Sequence, residues 1–149
     1  MPTSQEFLNV CRDCHAFCCT IVRPVLTNQE RQRILGEGFP DHFIKIQDNI
    51  YEIQLGEKGR CPYLDKNNAC LIQRVKPKFC KIWPIVPYIK NKKRGYLVIK
   101  CPLFFHISKK KLNETKKQAE EIPDDIIEHL WESTKKKKNR FKIFEYQEI

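Results

Sequence analysis

The chain has 149 residues, with 28 Lys and Arg against 18 Asp and Glu, so its net charge is +10. A hydrophobic fraction of 41% and a charged fraction of 31% suit one globular domain, and five glycines and nine prolines exclude collagen-like or low-complexity sequence. No apolar run reaches the ~20 residues of a membrane helix, and residues 1–6 lack the basic start and apolar run of a secretory signal, so the expected setting is cytoplasmic with no membrane partner.

In chain order, Gln5, Phe7, Leu8 and Val10 suit one short helical turn leading into a group of four cysteines, Cys11, Cys14, Cys18 and Cys19. Leu26-Thr27-Asn28-Gln29-Glu30 reads as a helix start. Thr27 can cap the N-terminus while Glu30, three residues on, reaches back; Gly36 marks the end. Residues 43–46 and 50–55 predict a hairpin turned by Asp48-Asn49, with one wet face on its second strand. Residues 56–84 are turn-rich and hold Cys61, Cys70 and Cys80. A second hairpin is expected from residues 85–89 and 96–100 around a loop at 91–95, with Pro87 confining its first strand to an edge. Cys101-Pro102 ends it. Residues 108–121 are polar and helix-friendly; Pro123 suits a first helical position, and Ile126, Ile127, Leu130 and Trp131 form an apolar stripe. The expected fold class is small α+β: short hairpins and loops around a metal-stabilising cysteine cluster, closed by C-terminal helices. Residues 1–105 form the cysteine-cluster domain and 106–149 a helical extension packed on it.

Eight cysteines are the unusual number. Cytosolic thiols stay reduced, so a cysteine cluster there points to metal rather than to a disulfide scaffold. Cys11-x-x-Cys14 places two sulfurs on one side of a tight turn, and Cys18 or Cys19 can add a third. Neighbouring side chains rarely face one tetrahedral centre, so Cys18 and Cys19 are expected to differ in role. Cys61 and Cys70 flank an Asp-Lys-Asn-Asn turn that can fold their sulfurs together. Spacings of nine and ten residues suit a loop-wrapped cluster better than a zinc finger. Cys101 is a further ligand or a structural thiol. The metal candidates are therefore Cys11, Cys14, Cys18, Cys19, Cys61, Cys70, Cys80 and Cys101. His15 lies within the first group but reads as a loop histidine, His42, His106 and His129 read as isolated, and Asp65 reads as a turn former.

These residues resemble the YkgJ-type CxxCxxCC cysteine-cluster family, whose members are classed as zinc- or iron-chelating domains. Cys11, Cys14, Cys18 and Cys19 match its first element, with three residues rather than two before the pair. Leu26, Thr27 and Glu30 match its helix start, and Cys61, Tyr63 and Leu64 the next element. Cys70, Ile72, Pro77, Cys80, Trp83 and Pro84 match the last. Gln73 stands where the family has Tyr, and Lys76 where it has Arg, which removes a bidentate fork. The related flagellin lysine N-methylases imply an iron–sulfur cluster on these cysteines; methylation is not implied for this chain, and a component role in a protein-modifying, lysine methylase-like system stands as an alternative. No glycine-rich methyl-donor turn accompanies them here.

Four thiolates hold zinc or an iron–sulfur cluster equally well, and either centre carries negative charge. Residues 74–100 contain nine basic and no acidic residues. Such a field stabilises a cluster's charge, and Phe17, Tyr63, Phe79, Trp83, Phe104 and Phe105 can exclude water. This favours an iron–sulfur cluster, [4Fe–4S] in form, with a redox, electron-transfer or structural role beside a protein redox or modification partner. The alternative is a zinc-stapled module that docks RNA or an acidic partner through the basic stretch, with Lys90, Lys92, Lys93 and Arg94 as candidate contacts.

Overall fold

The computed structural model describes residues 24–56, 59–136 and 146–149. Among the described residues are two three-stranded antiparallel sheets and four α-helices, the mixed α+β class expected from the sequence. The first sheet combines β1 (Val25–Leu26), β2 (Phe43–Gln47) and β3 (Ile50–Ile53) in the order β1-β3-β2. Because neighbouring strand residues face opposite ways, buried Val25 joins one apolar cluster and buried Leu26 the other. β1 is thus the seam between two cores.

Helix α1 (Asn28–Gly36) starts and stops where the sequence places it. The Thr27 hydroxyl accepts from the Glu30 amide at 3.3 Å, and the Glu30 carboxylate accepts from the Thr27 amide at 2.9 Å, a complete capping box. The first hairpin turns at Asn49, whose φ of +62° suits asparagine's tolerance of the left-handed region. The expected wet face of β3 is absent. β3 is central, paired on both edges, and Glu52 is only 6% exposed. Alternation within one strand does not report what covers it, and here His129 of the last helix lies over Glu52.

The second sheet holds β4 (Ile85–Lys90), β5 (Lys93–Ile99) and β6 (Tyr146–Glu148) in that order. Pro87 does lie on an edge strand. The connecting turn is tighter than expected: Asn91 and Lys92 both adopt positive φ (+53° and +61°), so pairing resumes at Lys93 rather than Tyr96. Gly95 faces Tyr88 across the hairpin, and a Cβ there would collide with the Tyr88 ring. Strand β6, in a stretch expected from the sequence to be helical, pairs antiparallel with β5.

Between the sheets runs a loop and the short helix α2 (Lys78–Lys81). After β5, a 3₁₀ turn (Pro102–His106) leads to α3 (Lys109–Ala119), capped by the Ser108 hydroxyl, and α4 (Asp124–Lys136). The stripe read from sequence is buried at Ile126, Ile127 and Leu130, and the Trp131 Nε1–H donates to the Pro87 carbonyl at 2.8 Å. These residues complete the larger core with Val25, Ile50, Phe79, Ile82, Ile85, Val86 and Ile99. The smaller core gathers Leu26, Ile34, Ile53, Tyr63, Ile72 and Val75.

Candidate metal centre

Cys11, Cys14, Cys18 and Cys19, with His15, Phe17 and the leading turn, lie outside the described residues. The loop carrying Cys61 and Cys70 is built by its polar residues. The Asp65 carboxylate accepts from the amides of Asn67 (2.7 Å) and Ala69 (3.0 Å), the side-chain turn expected of it. Arg60 closes the same turn by donating to the Asn68 side chain and the Asp65 carbonyl. Leu64 bridges Cys70, and the Leu71 amide donates to the Tyr63 carbonyl at 2.8 Å. The folded loop lays both Cys61 and Cys70, half-buried, against the smaller core.

Tyr63 pins this loop to the first hairpin. Its hydroxyl donates to the Pro40 carbonyl at 2.6 Å and accepts from the His42 amide at 3.2 Å, while the His42 ring meets it edge-on. Burial raises the phenol above its ordinary pKa. The sequence suggested water exclusion by this ring; the structure adds an anchoring bond that no spacing rule contains.

Cys80 is half-buried on α2, its amide donating to the Pro77 carbonyl at 2.9 Å. That helix receives no side-chain cap from Pro77. Its first amide, Lys78 N–H, instead donates to Glu30 Oε1 at 2.9 Å, across 48 residues of sequence. The capping-box signal found Glu30, but only the folded chain reveals this second bond. Cys101 is different in setting: at 4% exposure it lies inside the larger apolar core, near Ile99 and Leu103 in sequence. Among the described residues, no three His, Cys, Asp or Glu side chains are grouped to hold a metal.

The aromatic residues also divide. Tyr63 belongs to the smaller core, Phe79 and Trp83 to the larger, and Phe105 is 74% exposed, contrary to a shielding role. Phe105 follows Phe104 directly, and their rings meet edge-on at 5.3 Å. Gln73 and Lys76, the two departures from the family pattern, bond to each other at 3.4 Å. Within the basic stretch, Lys78 pairs with Glu121 at 2.9 Å and Arg94 with Asp124. Arg94 also donates to the carbonyls of Glu120 (2.8 Å) and Ile122 (2.6 Å), where α3 ends. Lys90, Lys92 and Lys93 are exposed at the hairpin tip. His129 is not isolated: its Nε2 lies 3.5 Å from Glu52 Oε2.

The CxxCxxCC family, described as "Putative zinc- or iron-chelating domain", matches residues 10–102, well over half of the chain. The chain belongs to this family. Its match takes in all eight cysteines, the α1 capping box, the Asp65 turn and α2, and stops at the 3₁₀ turn that precedes α3. No curated protein and no solved structure matches the chain. In this CxxCxxCC domain, zinc or iron chelation by cysteine is what membership brings, and the described donors Cys61, Cys70 and Cys80 are half-buried thiols of the soft type those metals take. No helix among the described residues is long and apolar enough to cross a membrane.

Proposed function

We propose that this CxxCxxCC domain binds one iron–sulfur cluster, [4Fe–4S] in form, and serves a redox, electron-transfer or structural role. The proposed ligands are four sulfurs drawn from Cys61, Cys70 and Cys80 and from Cys11, Cys14, Cys18 or Cys19. The observation that carries the reading is the delivery of Cys61 and Cys70 onto one core by a loop whose own polar groups are tied internally. Such a loop has a fold set by its own polar residues, and it carries two soft sulfur donors onto one core. Four residues lie between Cys19 and Pro24, whose carbonyl accepts from the Ile53 amide. From Cys19 to Pro24 the chain spans at most about 18 Å. The cysteines bind and orient the cluster, and Lys76, Lys81 and Lys100 add positive charge to the same stretch of chain. Bound, the cluster supplies one-electron chemistry or a structural clamp.

Purification without oxygen, followed by a visible spectrum and measurement of iron, sulfide and zinc per chain, tests this directly. Iron with matching sulfide and a broad visible band is expected. Zinc alone, without colour, would overturn the cluster and favour a zinc-stapled module, for which the three exposed lysines of the hairpin tip offer an anion-binding face.

A further inference from the structure

Resting on the metal-centre reading above, we propose that the Glu30 carboxylate is a positioning residue for the centre, locking the helix that carries Cys80 to the segment that follows the first cysteine group. Helix α2 is four residues long, too short to persist on its own hydrogen bonds. Its first turn has no acidic side chain and its N-cap is a proline, so the amide of Lys78 depends on an acceptor from elsewhere. Glu30 supplies it. One oxygen of the carboxylate holds the Thr27 amide and the other the Lys78 amide, both at 2.9 Å, so a single side chain caps two helices. Thr27 directly follows β1, the strand that carries the chain from the Cys11–Cys19 region into the first sheet. Cys80 is two residues beyond Lys78. The link therefore fixes Cys80, through α2, to the end of β1, whose Leu26 lies in the smaller core against which Cys61 and Cys70 pack, without touching the metal.

Gln cannot replace Glu30 in this role. One end of an amide accepts, but the other presents N–H groups to a second N–H. Lys78→Pro removes the donor selectively: proline is tolerated at a first helical position, and the Pro77 ψ of 152° suits a residue that precedes proline. Lys78→Ala removes only the Glu121 ion pair. Thr27→Ala removes the hydroxyl cap of α1 and that hydroxyl's own 3.3 Å bond to Glu30 Oε2, but keeps both bonds from backbone amides to the carboxylate.

The full chain, stripped of metal and kept reduced without oxygen, is titrated with Co²⁺ and followed by thiolate-to-cobalt absorption, with a competing chelator to give the dissociation constant. Glu30→Gln and Lys78→Pro should each weaken Co²⁺ binding by about 10–100-fold, while Lys78→Ala and Thr27→Ala leave it unchanged. Equal affinity in all four variants, or a loss in Thr27→Ala as large as in Glu30→Gln, would overturn the proposal. In the wild-type chain the Lys78 amide should exchange slowly with solvent; rapid exchange there overturns the proposal even if a variant fails to fold. A wild-type chain that shows no thiolate–cobalt band refutes the metal reading itself, a separate outcome.

Discussion

Arg94 was grouped by sequence with the exposed lysines of the second hairpin, yet its bonds make it a strut. Its guanidinium donates to the Glu120 carbonyl at 2.8 Å and the Ile122 carbonyl at 2.6 Å, and pairs with Asp124. These groups sit where α3 ends and α4 begins, so one side chain ties the hairpin to both C-terminal helices. The side chain is 24% exposed and Asp124 is 69% exposed, so the ion pair itself contributes little. The two charge-assisted bonds to carbonyls carry the effect, and partial exposure puts them at the low end of their range, about 2–3 kcal/mol together. Arg94→Ala should therefore lower the melting temperature by about 4–12 °C for a chain of this size. Arg94→Lys should recover little, because an ammonium lacks the planar fork that reaches both carbonyls. Thermal unfolding must be compared at fixed metal loading, since any metal that binds the native state shifts apparent stability. If Arg94→Ala melts with Lys92→Ala and Lys93→Ala, within about 0.5 kcal/mol of wild type, the strut argument is wrong and Arg94 returns to the candidate docking face.

Other variants probe other parts of the molecule. Gly95→Ala drives a methyl group into the Tyr88 ring, which holds Glu148 of β6 through its hydroxyl at 3.0 Å; a loss of about 1–3 kcal/mol in urea unfolding is expected, with β6 released first by hydrogen exchange. Lys92→Gly relieves a left-handed lysine and should leave stability equal or raised by about 1 kcal/mol, so a marked loss would show that the turn is not strained. The Arg31 guanidinium bonded to Asp41 holds that carboxyl below its ordinary value of 3.8. Because the folded pKa is depressed, its contribution is present above pH 3.8 and lost as pH falls through the folded value. The exposed Asp41 limits this contribution to less than about 1 kcal/mol. Wild type and Asp41→Asn should differ by a constant amount at neutral pH and converge in acid, and a gap that widened in acid would contradict the assignment. Cys80→Ala should remove most bound metal and destabilise the fold, as site and fold are coupled; full loading in that variant excludes Cys80 as a ligand.

Local chemistry made much of this protein readable from its residues. The capping box of Thr27 and Glu30, the Asp65 turn, the edge position of Pro87 and the apolar stripe of α4 each depend on neighbours within a few positions. Backbone donors, fixed φ and helical periodicity express themselves at that range. The cysteine order likewise carried the family, because thiol spacing is a property of the chain. What the sequence could not show were contacts between distant segments. Burial of Glu52 follows from β3 being central and from α4 lying over it. The second bond of Glu30 needs α2 brought beside α1, and the duty of Arg94 needs the α3–α4 corner beside the hairpin. The division of Cys61 and Cys70 from Cys101 needs two cores, with β1 as their seam. Spacing names the groups available for chemistry; packing, which closes loops of tens of residues at once, decides which of them meet.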